Sequence, residues 1–145
     1  MTMLSIIIPV FNEEASIEGL LHHLMEVAFD ATGLEVIVVD GGSRDNTVLK
    51  VNAFASIKNG FQVITATASK GRGKQMHYGA AMANGEILYF LHADSYPPEH
   101  YDQLILNAVA QEHPAGCFRM KFKSRHPWLM AVGWLTRFSW KVSRG

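Results

Sequence analysis

The sequence predicts an α/β fold, a mostly parallel sheet with flanking helices. Three observations carry that expectation. Four short apolar runs read as strands, at Leu4–Val10, Leu34–Val39, Phe61–Ala66 and Glu86–Leu91, the first two as buried strands. Stretches with apolar residues at helical spacing separate them, and strands alternating with helices of that length pair in parallel through right-handed crossovers. Polar residues gather just past the strand ends: Asn12-Glu13-Glu14, Asp40, Ser69 to Lys74, and His92 to Ser95. Open parallel sheets bind ligands there, outside the carboxyl ends of their strands.

Each element has its own reason. LSIIIPV is a continuous β-branched run, the pattern of a strand buried on both faces. Asn12 suits a helix cap, with Glu13 and Glu14 in the first turn, where acids favour the dipole. Ile17, Leu20, Leu21, Leu24, Met25 and Ala28 form that helix's apolar face, and Gly33 ends the unit. LEVIVV is the second strand, finished by Asp40 and turned by Gly41-Gly42. Asp45 or Asn46 caps a helix through Val48, Val51 and Phe54. Asn59-Gly60 turns into FQVITA, the third strand. The Ser69–Lys74 loop opens a helix over Met76–Ala83, stopped by Asn84-Gly85. EILYFL is the fourth strand. Pro97-Pro98 starts a helix with Leu104, Ile105, Ala108 and Val109 on one face. Cys117 to Lys123 alternates as a half-exposed strand, and His126-Pro127 opens an amphipathic helix, Trp128 to Val142.

Composition narrows the function. With 145 residues, 48% hydrophobic and 18% charged, the chain is expected to fold as one domain, 1–145. Thirteen Lys+Arg balance thirteen Asp+Glu, which argues against a nucleic-acid surface. The single cysteine, Cys117, excludes an internal disulfide and a multi-cysteine zinc site, and is expected as a buried thiol in a reducing compartment. No run reaches the roughly 18 apolar residues of a membrane span. Met1 to Phe11 lacks a basic start and runs into Glu13-Glu14, so it reads as a strand and not a signal peptide. The expected location is the cytoplasm, at most peripheral at the cytoplasmic face of the membrane.

Four constellations carry chemistry. Asp40 ends a strand, where a carboxylate either accepts from a base or ribose or caps the Gly41-Gly42 turn. Ser69 to Lys74 combines a helix start with three cations, an anion site by geometry; the plain alternative is a solvated basic loop. It is not a Walker loop, because Ala68 and Gln75 stand where Gly and Ser or Thr are needed. No G-x-G-x-x-G follows the first strand either, which argues against a nicotinamide site. Asp94, closing His92-Ala93-Asp94, either holds a divalent metal facing a diphosphate or caps the next helix; His92 is either a ligand beside it or a structural histidine. Trp128, Trp134 and Trp140, near Arg137, Lys141 and Arg144, either pack on the sheet or meet a membrane or partner.

Together the segments IIIPVFNEE (Ile6 to Glu14), VIVVDGGSRDNT (Val36 to Thr47) and KGRGKQMHYGAAMANGEILYFLHADS (Lys70 to Ser95) resemble the family 2 glycosyltransferases, with their Rossmann-like GT-A fold. The match runs from about Leu4 to Pro98. GRGKQM followed by FLHAD is most similar to the arsenosugar-biosynthesis-type, or rSAM/selenodomain-associated transferase 2, subgroup. The resemblance implies a nucleotide-binding core at 1–98 and the start of an acceptor region at 99–145. It implies a nucleotide-sugar donor, an inverting hexosyl-type transfer, and a nucleotide-binding set of Pro9, Phe11, Glu13, Asp40, Gly42, Lys70, Arg72 and Ala93. Phe11 and Glu13 flank the base and ribose, Asp40 binds the base, and Arg72 lies near the diphosphate or the base. Asp94 matches the metal carboxylate of a D-x-D motif, and His92 replaces the first Asp. Mg²⁺ or Mn²⁺ is therefore expected, bound more weakly than by two carboxylates. The acceptor half is expected to be incomplete, with the general base beyond Gly145; nothing aims Glu99, Asp102 or Glu112 at an acceptor. The alternative is a nucleotide-sugar-binding module without turnover. A membrane surface or a second copy is the expected partner of 127–142.

Overall fold

The computed structural model describes residues 3–57, 60, 62–113 and 115–118. The chain divides into two compact units, Met1–Glu112 and His113–Gly145. The first holds strands β1 (Leu4–Val10), β2 (Leu34–Asp40), β3 (Gln62–Thr67) and β4 (Ile87–Phe90), and helices α1 (Ile17–Val27), α2 (Thr47–Ala55), α3 (Arg72–Met82) and α4 (Tyr101–Ala110). The sheet order is β3-β2-β1-β4, with every neighbouring pair parallel. The predicted α/β class and parallel sheet are what the structure has.

Every residue of the central strands β1 and β2 is buried, which is why both sequences are nearly unbroken apolar runs. Ser5 and Glu35 interrupt them as register partners on adjacent strands. Ser5 Oγ donates to Glu35 Oε1 at 2.8 Å, and Asn84 donates to the same carboxylate through its backbone N at 3.0 Å and its Nδ2 at 2.7 Å. Burial pushes the Glu35 carboxyl up, but the Asn84 and Ser5 donors outweigh it and hold it below the usual carboxylate range.

Several expected boundaries move. α1 begins at Ile17, not beside Asn12; Ser16 N and Ile17 N both donate to Glu13 O, so Glu13 and Glu14 lie in the loop before the helix. α3 begins at Arg72, four residues earlier than its apolar pattern suggests, which places Arg72, Gly73 and Lys74 in its first turn. Asn84-Gly85 does not form a left-handed cap. Gly85 N donates to Ser5 Oγ at 2.9 Å, and a Cβ there would lie 2.7 Å from Met3 O, so close approach is what requires glycine. Pro97-Pro98 precedes α4 by several residues, and His100 stands at the helix's start.

The predicted face of α4 is also corrected. Leu104 and Val109 are 48% and 40% exposed, Ala108 is exposed, and the helix buries Tyr101 and Asp102 instead. The Asp102 carboxylate accepts from Phe29 N and Asp30 N, at 2.9 Å each, and clamps α4 to the chain after α1. Cys117 is exposed, not buried, and residues 115–118 have no strand. The rest of the predicted strand to Lys123, and the helix from Trp128 to Val142, lie outside the described residues. No helix among the described residues is long and apolar enough to cross a membrane.

Candidate functional site

At the carboxyl end of the sheet, the loop after β1 is laced to the loop after β2. Asn12 N donates to Ser43 Oγ at 2.9 Å, Glu13 N to Thr47 Oγ1 at 2.8 Å, and Glu14 N to Asp45 Oδ2 at 3.2 Å. In return, Arg44 N donates to Asn12 Oδ1 at 2.8 Å and Asn46 N to Glu14 Oε2 at 2.9 Å. Asn12 adopts a left-handed φ of 54°, a conformation asparagine tolerates well. Its side chain thus serves the second loop and not a helix. Asp45 accepts from both Thr47 N and Thr47 Oγ1. Burial pushes its carboxyl up, and these donors with Glu14 N bring it below the usual range.

Asp40 is 4% exposed. Its oxygens accept from Gly42 N at 2.9 Å, from Ser43 N at 3.1 Å, and from Ser43 Oγ. Of the two readings of Asp40, these bonds are those of the turn cap. Gly42 has a φ of 90° and is exposed beside it.

Pro9 shapes the crevice on the other side of β1. Ile7 O accepts from Leu91 N at 3.0 Å, so Ile7 faces β4. Backbone groups two residues apart face the same way, so the N–H that Pro9 lacks falls on the β4 side. The β1–β4 pairing stops at Ile7 and Phe90. β2 and β3 lie on one side of β1 and β4 on the other, which makes this the switch point of the sheet. Beyond it, His92 is half-buried, Ala93 buried and Asp94 exposed. Ser95 Oγ lies 3.4 Å from Asp94 Oδ1. Asp94 does not cap α4, whose first residues carry no side-chain cap bond. No three His, Cys, Asp or Glu side chains converge as a metal cage among the described residues.

The basic segment lies after β3. Lys70, Arg72 and Lys74 are exposed. Among the described residues the recorded ion pair is Lys50 with Glu18, at 3.6 Å, and none of these three enters one. Lys70 Nζ stands 3.7 Å from the centroid of the half-buried Phe11 ring, a cation–π contact. Arg72, Gly73 and Lys74 open α3, whose first N–H groups have no intrahelical acceptor. The Glu13 carboxylate accepts from Ser16 Oγ at 2.7 Å. The structure thus brings Phe11 to Lys70 and Asp40 to Gly42, and places Pro9, Glu13, Arg72, Ala93 and Asp94 at the same end of the sheet.

Sequence reasoning missed Gln75, which entered only as a departure from a Walker loop. It is buried on the sheet side of α3, and its Nε2 donates to Val10 O and Val39 O, each at 2.8 Å. The available signal was its spacing of four from Gly79, the other buried residue of that helix. A separate hollow of about 550 Å³, lined by Leu4, Leu34, Ile87 and Asp102 among others, lies at the amino ends of the strands. It is lined mostly by apolar groups and is not where the polar strand ends gather.

Comparison with known proteins identifies the family and the fold. The model of glycosyl transferase family 2 matches residues 5–139. Poly(ribitol-phosphate) beta-N-acetylglucosaminyltransferase TarS of Staphylococcus aureus is 34% identical over 139 residues, covering 88% of this chain and 24% of the relative. Undecaprenyl-phosphate 4-deoxy-4-formamido-L-arabinose transferase of Shewanella sediminis is 34% identical over 119 residues, covering 79% and 36%. Among solved structures, S. aureus TarS superposes with a TM-score of 0.66 at 26% identity, over 77% of this chain and 33% of that one. A mannosyltransferase of Pyrobaculum calidifontis, solved with GDP-Man and Mn²⁺, superposes with a TM-score of 0.64 at 29% identity, over 74% and 31%. The chain thus spans about a quarter to a third of the length of such relatives. With the GT-A architecture and the family match in agreement, the chain belongs to the family 2 glycosyltransferases.

Proposed function

We propose that the carboxyl end of the sheet binds the nucleoside diphosphate of a nucleotide-sugar, and that the protein transfers the sugar to an acceptor with inversion. The carrying observation is the gathering of four polar strand-end segments at one end of the sheet, with Lys70, Arg72 and Lys74 in no ion pair among the described residues. An unpaired cationic cluster at a helix start suits an anion with several oxygens, such as a diphosphate.

In this reading Phe11 offers its ring to the base once Lys70 moves off it. The Asp40 turn, with Gly42 and the buried strand end at Pro9, forms the floor under the base and ribose, and Glu13 borders them. Lys70, Arg72 and the first N–H groups of α3 take the diphosphate, and their charge stabilises it as it departs. Asp94, with Ala93 holding its loop down, would hold a divalent cation. One carboxylate is a small ligand set, but Mg²⁺ and Mn²⁺ complete theirs with phosphate oxygens and water, so the residues fit. The cation would supply positive charge beside the leaving diphosphate. His92 adds little, because imidazole is a poor ligand for hard Mg²⁺. The mannosyltransferase bound to GDP-Man and Mn²⁺ supports both the donor class and the metal. The GRGKQM and FLHAD runs support the arsenosugar-type subgroup.

Calorimetric titration of UDP, GDP and their sugar conjugates, with and without Mn²⁺, tests the reading. Binding of at least one diphosphate is expected. A folded chain that ignores them all would overturn the proposal.

A further inference from the structure

Gln75 spends every polar group of its side chain on backbone. Nε2 donates to Val10 O and Val39 O, the carbonyls near the carboxyl ends of β1 and β2, and Oε1 accepts from Gly71 N at 3.3 Å. Gln75 N donates back to Gly71 O at 2.9 Å. A side chain that is 3% exposed therefore ties the two central strands to the residue just before α3. Residue 41 leaves room for it: a Cβ on Gly41 would lie 3.0–3.1 Å from the Gln75 amide atoms. Gly71 holds a φ of 139°, so the segment from Lys70 to Arg72 follows a defined path into the helix and not a generic loop.

Apolar packing of α3 on the sheet is non-directional. It fixes the helix's height above the strands, with Gly79 seated close against Ile7 and Val39. Hydrogen bonds are directional, and those of Gln75 fix the axial position. We infer that Gln75 is a positioning residue for diphosphate recognition. It sets where Lys70, Arg72 and the first N–H groups of α3 stand relative to Phe11 and the Asp40 turn, without touching the ligand. The inference rests on the nucleotide reading above and assigns a residue to it.

Gln75→Met keeps the length and apolar fill of the side chain and removes its bonds. Ser5→Ala is the control, since it loses a buried bond at the opposite end of the sheet. Pyrophosphate, UDP and GDP are titrated calorimetrically into the unaltered chain and both variants, with thermal melts alongside. Gln75→Met is expected to lower affinity for each ligand that binds by about tenfold, the scale of one lost charge-assisted contact. Ser5→Ala is expected to lower the melting temperature and leave affinity unchanged. Equal affinity in Gln75→Met and the unaltered chain, or equal loss in both variants, overturns the positioning role alone. An unaltered chain that binds none of the three overturns the nucleotide reading and this inference with it. If Gln75→Met does not fold, Gly41→Ala replaces it, because its Cβ pushes the amide off the strand ends. A smaller loss of the same affinity is then expected, and unchanged affinity overturns the inference.

Discussion

The two ends of the sheet use polar residues in opposite ways. At the amino end, the buried Ser5 and Glu35 pair with each other and with Asn84 and Gly85 at the surface edge of the sheet. At the carboxyl end, Asp40 and Asn12 are spent on turns, but Arg72, Lys74 and Asp94 stay exposed. The difference teaches where to look for chemistry. Burial of a charged group marks a structural cluster when its partners saturate it, whereas a surplus of charge at a strand end marks a place for a ligand.

The largest expected effect breaks the amino end. Glu35→Ala leaves the buried Ser5 hydroxyl and the two Asn84 donors without their acceptor and should cost about 3 kcal/mol. Chemical denaturation measures that loss, and diphosphate affinity of the folded fraction should not change. A parallel fall in affinity would mean that the two ends are not separable. Next comes Arg72→Ala. It should weaken diphosphate binding by about 1.5–3 kcal/mol, the range for a hydrogen bond to a charged group. Its stability should stay within about 0.5 kcal/mol of the unaltered chain.

Acidity sharpens the same contrast. Glu35 has a folded pKa below its ordinary value of 4.5. Its contribution is therefore fully present above that value and disappears as pH falls through the folded pKa. The stability gap between the unaltered chain and Glu35→Gln, followed by urea melts from pH 6 to pH 3, should be constant at first and shrink only in the acid part. A gap that widens on acidification would reverse the assignment. The smallest effect concerns the metal. Mn²⁺ should raise diphosphate affinity by no more than about tenfold, because one carboxylate supplies the protein's share of ligands. Asp94→Asn should abolish that gain. A hundredfold gain, or one that survives the substitution, would show that another carboxylate completes the site.

β1 and β2 were legible because they are buried along their whole length, and burial on both faces writes an apolar run directly into the sequence. The end of the sheet that carries the polar cluster was legible for the same reason, since each cluster begins where a run stops. The start of α1 was not. Asn12, Glu13 and Glu14 have the composition of a helix cap, but their partners are Ser43, Arg44, Asp45, Asn46 and Thr47, some thirty residues away. Gln75 and Asp102 hid for a like reason. Each is a polar residue on a helix whose acceptors or donors belong to other elements, and local spacing does not reveal those. The apolar stripe of α4 did not reveal its buried residues, because Asp102 is held inward by Phe29 N and Asp30 N of another segment while Leu104 and Val109 stay exposed.

The lacing of the two loops also has a kinetic side. Its bonds join residues 31 to 34 positions apart. None can form before β1 and β2 meet, because the chain entropy of closing that span is lost before any bond repays it. A slip of one residue would also turn β2 over and carry Arg44 away from Asn12. On the proposed nucleotide reading, diphosphate binding therefore requires the correct pairing of β1 and β2. During refolding, recovery of diphosphate binding should act as a clock for that event. Added ligand should slow unfolding and leave the folding rate almost unchanged.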